Sequence, residues 1–160
     1  MNKFIGTKEV KARPLNLGAY NALRGWDLPK DENPDTEGYL VEYLDSPNKN
    51  HPDYDNYISW SPKDVFERSY RLNDNLTFGQ ATEAAKQGKK VARQGWNGSG
   101  MFAYIVPAAS YPAQTEAAKK QFGDIVPYRA YWALKTAQND VATWAPSGSD
   151  SLAEDWMIVD

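Results

Sequence analysis

The sequence predicts an α+β protein of two small modules, each with antiparallel β-hairpins and short helices. Three observations predict it. β-rich runs come in pairs around turn-forming stretches, the helical stretches between them are short and carry their own caps, and a polar segment separates two parts of different charge. That segment is Arg71–Asn75, where Leu72 is the one apolar residue among two Asn and an Asp. Up to residue 75 the chain carries ten basic and thirteen acidic side chains, which leaves eight of each sign from the totals of 18 and 21. The modules are therefore placed at residues 1–75 and 76–160. An apolar content of 41%, with 13% aromatic, is enough for a packed core.

In the first module, Phe4–Arg13 alternates and stops at Pro14, reading as a strand, and Asn16 is placed to cap a helix through about Leu23. Asp27–Gly38 holds Pro29 and Pro34 among five acids and reads as an acidic loop. Tyr39–Leu44 and Tyr57–Trp60 form a hairpin with a long loop, after which Ser61-Pro62-Lys63-Asp64 supplies an N-cap, a first-turn proline and an acid for a helix to about Tyr70.

The second module opens on Thr77-Phe78-Gly79-Gln80, a capping box, and its helix ends at Gly88, where a left-handed cap is needed. Lys89–Arg93 and Met101–Val106 flank the glycine turn Gln94–Gly100 as a second hairpin. Ala108–Asp124 reads as a loop holding a short Ala- and Lys-rich helix. Tyr128–Thr136 and Val141–Trp144 are strands around a Gln138-Asn139-Asp140 turn. Ser151–Glu154 reads as a capping box for one helical turn before Met157–Val159 closes as a strand.

Catalysis finds little to work with. There is no cysteine, which removes thiol nucleophiles, disulfides and cysteine-ligated metals, and the single histidine, His51, sits before a proline in a polar loop. Gly95, Gly98 and Gly100 have the wrong spacing for a phosphate-binding loop and lie between strands. Glu154 and Asp155 beside Trp156 read as helix-capping acids, not as a general acid. No catalytic residue, metal or cofactor is expected. A net charge of −3 gives no general attraction to nucleic acid or anionic lipid, so direct nucleic-acid binding is not expected. No apolar run reaches the roughly 18 residues that span a bilayer, and the N-terminus runs straight into charged residues, so no membrane partner is expected.

The informative set is aromatic and polar: Arg93, Trp96, Asn97, Arg129, Trp132 and Trp144, spread over the hairpins of the second module. Six Trp and ten Tyr stand against only five Phe, a balance that suits flat ligands and subunit interfaces as well as cores. Trp96 within a glycine turn is expected to stand outward as a stacking platform that supports little packing. Trp156, before the closing strand, is expected to be core.

Five blocks of this module resemble a phage domain that includes the second Thoeris anti-defence family. They are Thr77–Ala81, Gly88–Gly98, Gly100–Phe102, Lys135–Ala137, and Trp144–Ser147 with Asp150–Trp156, together spanning nearly all of residues 76–160. The resemblance implies a non-enzymatic homo-oligomer, a dimer or tetramer, that acts in the host cytoplasm. It implies that the protein holds a cyclic nucleotide immune signal, of the cyclic ADP-ribose type or a cyclic dinucleotide, without cleaving it. By position it makes Trp96 and Trp144 the aromatic ligand-binding residues, with Arg129, Asn97 and the Ser147–Asp150 loop as polar contacts. This chain departs from the pattern at Gly148-Ser149 and in the Gln138-Asn139-Asp140 turn. An anti-CRISPR family has a similar domain, so the alternative is a protein that docks on a host nuclease, with the acidic loop imitating a phosphate backbone. The first module is similar to small phage proteins of unknown function that end in a segment like Tyr57–Glu67, which brings no activity with it.

Overall fold

Strands Val10–Pro14 (β1), Gly38–Tyr43 (β2) and Tyr57–Pro62 (β3) form a three-stranded antiparallel sheet in that order. They belong to the first of two compact units, Met1–Arg71 and Leu72–Asp160, in a computed structural model that describes residues 1–160. The first strand begins at Val10, not at Phe4, because its partner β2 ends at Tyr43, opposite Val10. Met1–Glu9 lies exposed outside any element.

Leu40 pairs with Trp60 and Glu42 with Ile58, so these four share one face of the sheet. Helix Leu17–Arg24 (α1) covers the apolar part of that face, placing Tyr20 against Leu40 and Ile58, with Leu15, Leu23, Tyr54 and Trp60 around them. Asn16 caps the helix by accepting from Ala19 N at 2.8 Å, and Gly25 ends it at φ 66°. Glu42 is buried, and its Oε1 accepts from the N–H groups of Asp55 and Asn56 and from Asn56 Nδ2, which ties the long β2–β3 loop to the sheet. Helix Lys63–Ser69 (α2) stacks Phe66 between Tyr39 and Tyr70, at 4.2 and 4.8 Å between ring centres. Its cap position is Pro62, with no side-chain bond. The expected cap, Ser61, is still paired with Tyr39 in β3.

The second unit is a five-stranded antiparallel sheet in the order β10-β4-β5-β8-β9. Its strands are Lys90–Arg93 (β4), Phe102–Val106 (β5), Tyr131–Lys135 (β8), Val141–Thr143 (β9) and Trp156–Val159 (β10). Helix Phe78–Lys86 (α3) lies across one face, begun by the expected Thr77–Gln80 capping box and followed by Gly88 at φ 87°. Ala81 and Ala85 are its buried residues, and their small side chains bring the helix down onto Val91, Ala103 and Trp156. Leu72–Leu76 belongs with this unit. Ile158 N donates to Asn73 O at 2.9 Å, and Leu76 and Trp156 exchange both backbone bonds, at 2.8 and 3.1 Å.

Three local readings change in this unit. The strand expected over Tyr128–Thr136 begins only at Tyr131, because Tyr128 pairs with Ala109 instead. The stretch taken as a loop with a helix contains helix Glu116–Phe122 (α4), but strands Ala109–Pro112 (β6) and Ile125–Tyr128 (β7) pair on either side of it. Pro112 and Pro127 mask them in sequence, since proline cannot donate to a ladder. The last helix is Gly148–Leu152 (α5), not Ser151–Glu154, because Ser147 and Asp150 form the capping box one turn earlier. No helix is long and apolar enough to cross a membrane.

Trp156 has 0% exposure. Replacing it by Ala should cost about 3–5 kcal/mol of stability, the range for emptying a buried aromatic site. Urea unfolding followed by circular dichroism measures this, and a loss below about 1 kcal/mol would show that the ring is not the core of this unit.

Candidate ligand-binding site

Five rings from five segments pack together around the α3-covered core: Phe78 at the start of α3, Trp96 in the turn after β4, Trp132 in β8, Trp144 after β9 and Trp156 in β10. Strand pairing sets Trp132 opposite Ile105, and Trp144 N donates to Trp132 O at 2.9 Å, which brings those two indoles side by side. Their centres are 5.5 Å apart and the planes cross at 86°. Trp96 meets Trp144 at 5.8 Å and Trp156 at 5.4 Å, again edge to face, and Phe78 sits 5.2 Å from Trp156. Edge-to-face pairs match the positive rim of one ring to the negative face of the next, which fixes orientation as well as contact. Trp156 is fully buried, whereas Trp96, Trp132 and Trp144 are half-buried.

Trp96 therefore does not stand outward as its glycine turn suggested. The turn folds the ring in: Trp96 N donates to Arg93 O at 3.2 Å, and the indole packs on the core. Gly98 serves close approach, since a Cβ there would lie 2.0 Å from Met101 Sδ.

Beneath the rings runs a charged network. Arg93 Nε donates to Asp155 Oδ1 at 2.8 Å and Nη1 to Asp150 Oδ1 at 2.9 Å, with a longer bond from Nη2 to Asp155 Oδ2. Asp150 Oδ2 accepts from Ser147 N at 3.0 Å and Ser147 Oγ at 2.8 Å, while Oδ1 also faces Trp96 Nε1 at 3.4 Å. The Asp150 carbonyl takes the Trp156 indole N–H at 2.9 Å. Burial pushes the Asp150 carboxyl up, but Ser147, Arg93 and Trp96 outweigh it and bring its pKa down from 3.8 to about 2. Arg93 likewise lowers Asp155, against burial and with help from the Gly95 N–H, and the two carboxylates raise Arg93.

Of the residues singled out in the sequence, the structure brings together Arg93, Trp96, Trp132, Trp144, Ser147 and Asp150. Asn97 is exposed in the glycine turn, and Arg129 is exposed between β7 and β8; neither joins the network. Sequence reasoning missed Asp155, which reads as a helix acid only while the last helix is placed too late. No sequence signal gave its partner, because only the pairing of Trp156 with Arg93 puts Asp155 at the end of β4. Phe78 was missed as well, hidden inside a capping box. Two surface concavities, one lined by Leu72, Asn73, Asp74, Met157 and Ile158, the other by Lys11, Ala12, Arg13, Leu40, Glu42 and Tyr54, include none of these side chains. No group of three or more His, Cys, Asp or Glu side chains is placed to hold a metal ion.

Compared with known proteins, residues 76–159 match the family described as the Thoeris anti-defense 2-like domain. Thoeris anti-defense 2 of Bacillus phage SP01 is 35% identical over 94 residues, an alignment that covers 55% of this chain and 99% of that protein. The family match contains all five rings, Arg93 and both aspartates.

Two outcomes follow for the cluster. Trp96→Ala should lower stability by about 2–3 kcal/mol, from half-burial of a large ring and two edge contacts, a loss that thermal or urea unfolding reads directly. A carboxylate whose folded pKa is depressed contributes stability above its unfolded value of 3.8 and loses it as pH falls through about 2. The melting temperature of the native chain should therefore fall more steeply than that of Asp150→Asn between about pH 4 and pH 2, with a constant offset above. Parallel acid limbs in thermal melts would contradict the assignment.

Proposed function

Because the chain belongs to the Thoeris anti-defense 2-like family, we propose that it serves a phage by sequestering a cyclic nucleotide immune signal through residues 76–160. The signal is of the cyclic ADP-ribose type or a cyclic dinucleotide, and the protein holds it in the host cytoplasm without cleaving it. The observation that carries this reading is the cluster of three half-buried tryptophans inside the family match, with orientations fixed by their neighbours. A sequestering protein must bind more tightly than the signal's effector does, on the order of submicromolar, or about −8 kcal/mol. Stacking of a base on an aromatic ring contributes about 1–3 kcal/mol, so two rings supply a large share and polar contacts to the phosphates the remainder. Arg129 and Asn97, exposed beside the cluster segments in sequence, are the side chains free to make those contacts.

Holding without cleavage fits the chemistry of the network. Asp150 is kept ionised by Ser147 and Arg93, and Asp155 by Arg93 and the Gly95 N–H, so both are poor proton donors at neutral pH. His51 has both ring nitrogens engaged, Nε2 with Leu23 O and Nδ1 with Asp53 N. The working form is a homo-oligomer, dimer or tetramer. In support, Tyr111, Phe122, Ile125, Tyr128 and Tyr131 are exposed on and beside the β6–α4–β7 ribbon, rings and side chains of the kind that subunit interfaces cover.

The test is tryptophan fluorescence titrated with cyclic ADP-ribose isomers and cyclic dinucleotides, followed by heat release and mass analysis of the bound nucleotide. Saturable quenching with intact ligand recovered is the expected result, and recovery of a linearised product would make the protein an enzyme. Silence with every nucleotide, together with co-purification of a nuclease, would favour a protein-docking inhibitor. Light scattering should give a mass at least twice 18.0 kDa, and a clean monomer at micromolar concentration would count against the oligomer.

A further inference from the structure

We infer that Asp155 is a positioning residue of this site, and that Arg93 serves the site by bracing the Trp96 turn with Asp155 and Asp150 instead of contacting a ligand phosphate. The inference rests on the proposed function for what is being positioned; the brace itself rests on geometry alone.

Asp155 grips the Trp96 turn along its length. Its carboxylate takes Arg93 through Nε and Nη2, its Oδ2 accepts the Gly95 N–H at 3.0 Å, and its backbone carbonyl accepts the Gln94 N–H at 3.1 Å. Three consecutive residues are thus fixed by one aspartate, and the next residue is Trp96. The fit is close, since a Cβ on Gly95 would sit 3.0 Å from Asp155 Oδ2. Asp150 fixes the far end of the ring through the indole N–H and is itself held by Ser147. The Trp96 ring is therefore located by two carboxylates that share one guanidinium.

Charge argues against Arg93 as a phosphate ligand. The guanidinium faces two carboxylates, so the trio carries one net negative charge, and three of its five N–H groups are already directed at them. An incoming phosphate would meet that negative charge and compete for donors already committed at 2.8–2.9 Å. A planar fork that spans two carboxylates is also a task for which lysine, a point donor, is no substitute.

The experiment compares the native chain with Asp155→Asn, Arg93→Lys, the double variant and Gly95→Ala, whose added methyl crowds Asp155 while leaving its pairing with Arg93 possible. Two readouts are taken: exchange of the Trp96 indole N–H and Gly95 amide protons by NMR in ligand-free protein, and affinity for cyclic ADP-ribose isomers and cyclic di-GMP. The brace predicts at least tenfold faster exchange at those two protons in Asp155→Asn and Arg93→Lys, with the Ala81 and Ala85 amides unchanged. It predicts roughly tenfold weaker binding in each, and a double variant no weaker than either alone. Gly95→Ala should show a smaller change in the same direction and serves if Asp155→Asn does not fold. Unchanged exchange at Trp96 and Gly95 in every folded variant overturns the inference. So does full affinity in Arg93→Lys, because retained charge would then be what the ligand needs. If the native chain binds none of these nucleotides, the functional reading fails, and the exchange measurement still decides whether the brace exists.

Discussion

The second unit closes on the indole of Trp156. Its backbone pairs with Leu76 at the start of the unit, its ring lies beneath Phe78, Trp96 and Trp144, and its N–H reaches the carbonyl of Asp150. One residue near the C-terminus thus joins the entry to α3, the turn after β4 and the cap of α5. None of those segments is long: α5 has five residues, and β9 has three. Elements this short have little stability of their own, because helix nucleation costs more than one turn returns and a three-residue strand makes few bonds. Their geometry is borrowed from the ring that they surround.

The charged network beside the rings adds a second restriction to this arrangement. Edge-to-face contacts orient neighbouring rings but leave more than one approach to the segments that carry them. A guanidinium between two carboxylates tolerates far fewer, because any other placement leaves a partly buried charge without its partner. Arg93, Asp150 and Asp155 are 22%, 14% and 32% exposed, dry enough for a misplaced charge to be costly. Apolar burial holds the segments together, and the ring contacts and ion pairs restrict how they are arranged.

Much of this was legible in the sequence, and what was not has physical causes. Caps with a local signature came through: Asn16, the Thr77–Gln80 box and the left-handed Gly88 each act within three or four residues of themselves. The hairpins of β2 with β3 and β4 with β5 were readable because a stretch of turn-forming residues, Pro-, Asn- and Asp-rich in the first and glycine-rich in the second, separates their strands. The β6–β7 ribbon was not, since its partners are four residues each, carry a proline apiece and are separated by a helix. At the site, Trp96, Trp132, Trp144 and Arg93 could be picked out as residue types in suggestive positions, and Ser147 and Asp150 through the family resemblance. Their contacts could not, because those depend on strand register. Asp155 was misread for the same reason: its partner is 62 residues away, and only the pairing of β10 with β4 brings the two together.

That dependence on register also ties the stability of this domain to the recognition proposed for it. A ring in a glycine turn is ordinarily the kind of side chain that is removed without harm, but here its centre lies 5.4 Å from the most deeply buried tryptophan. Trp96 and Trp156 therefore share one packing unit, and substitutions in contact do not add. In the proposed role, Trp96 offers a flat ligand a ring that the fold has already oriented, so little ordering entropy would be lost on binding. The half-burial that makes Trp96 a poor candidate for a purely peripheral platform is thus what would suit it to that role.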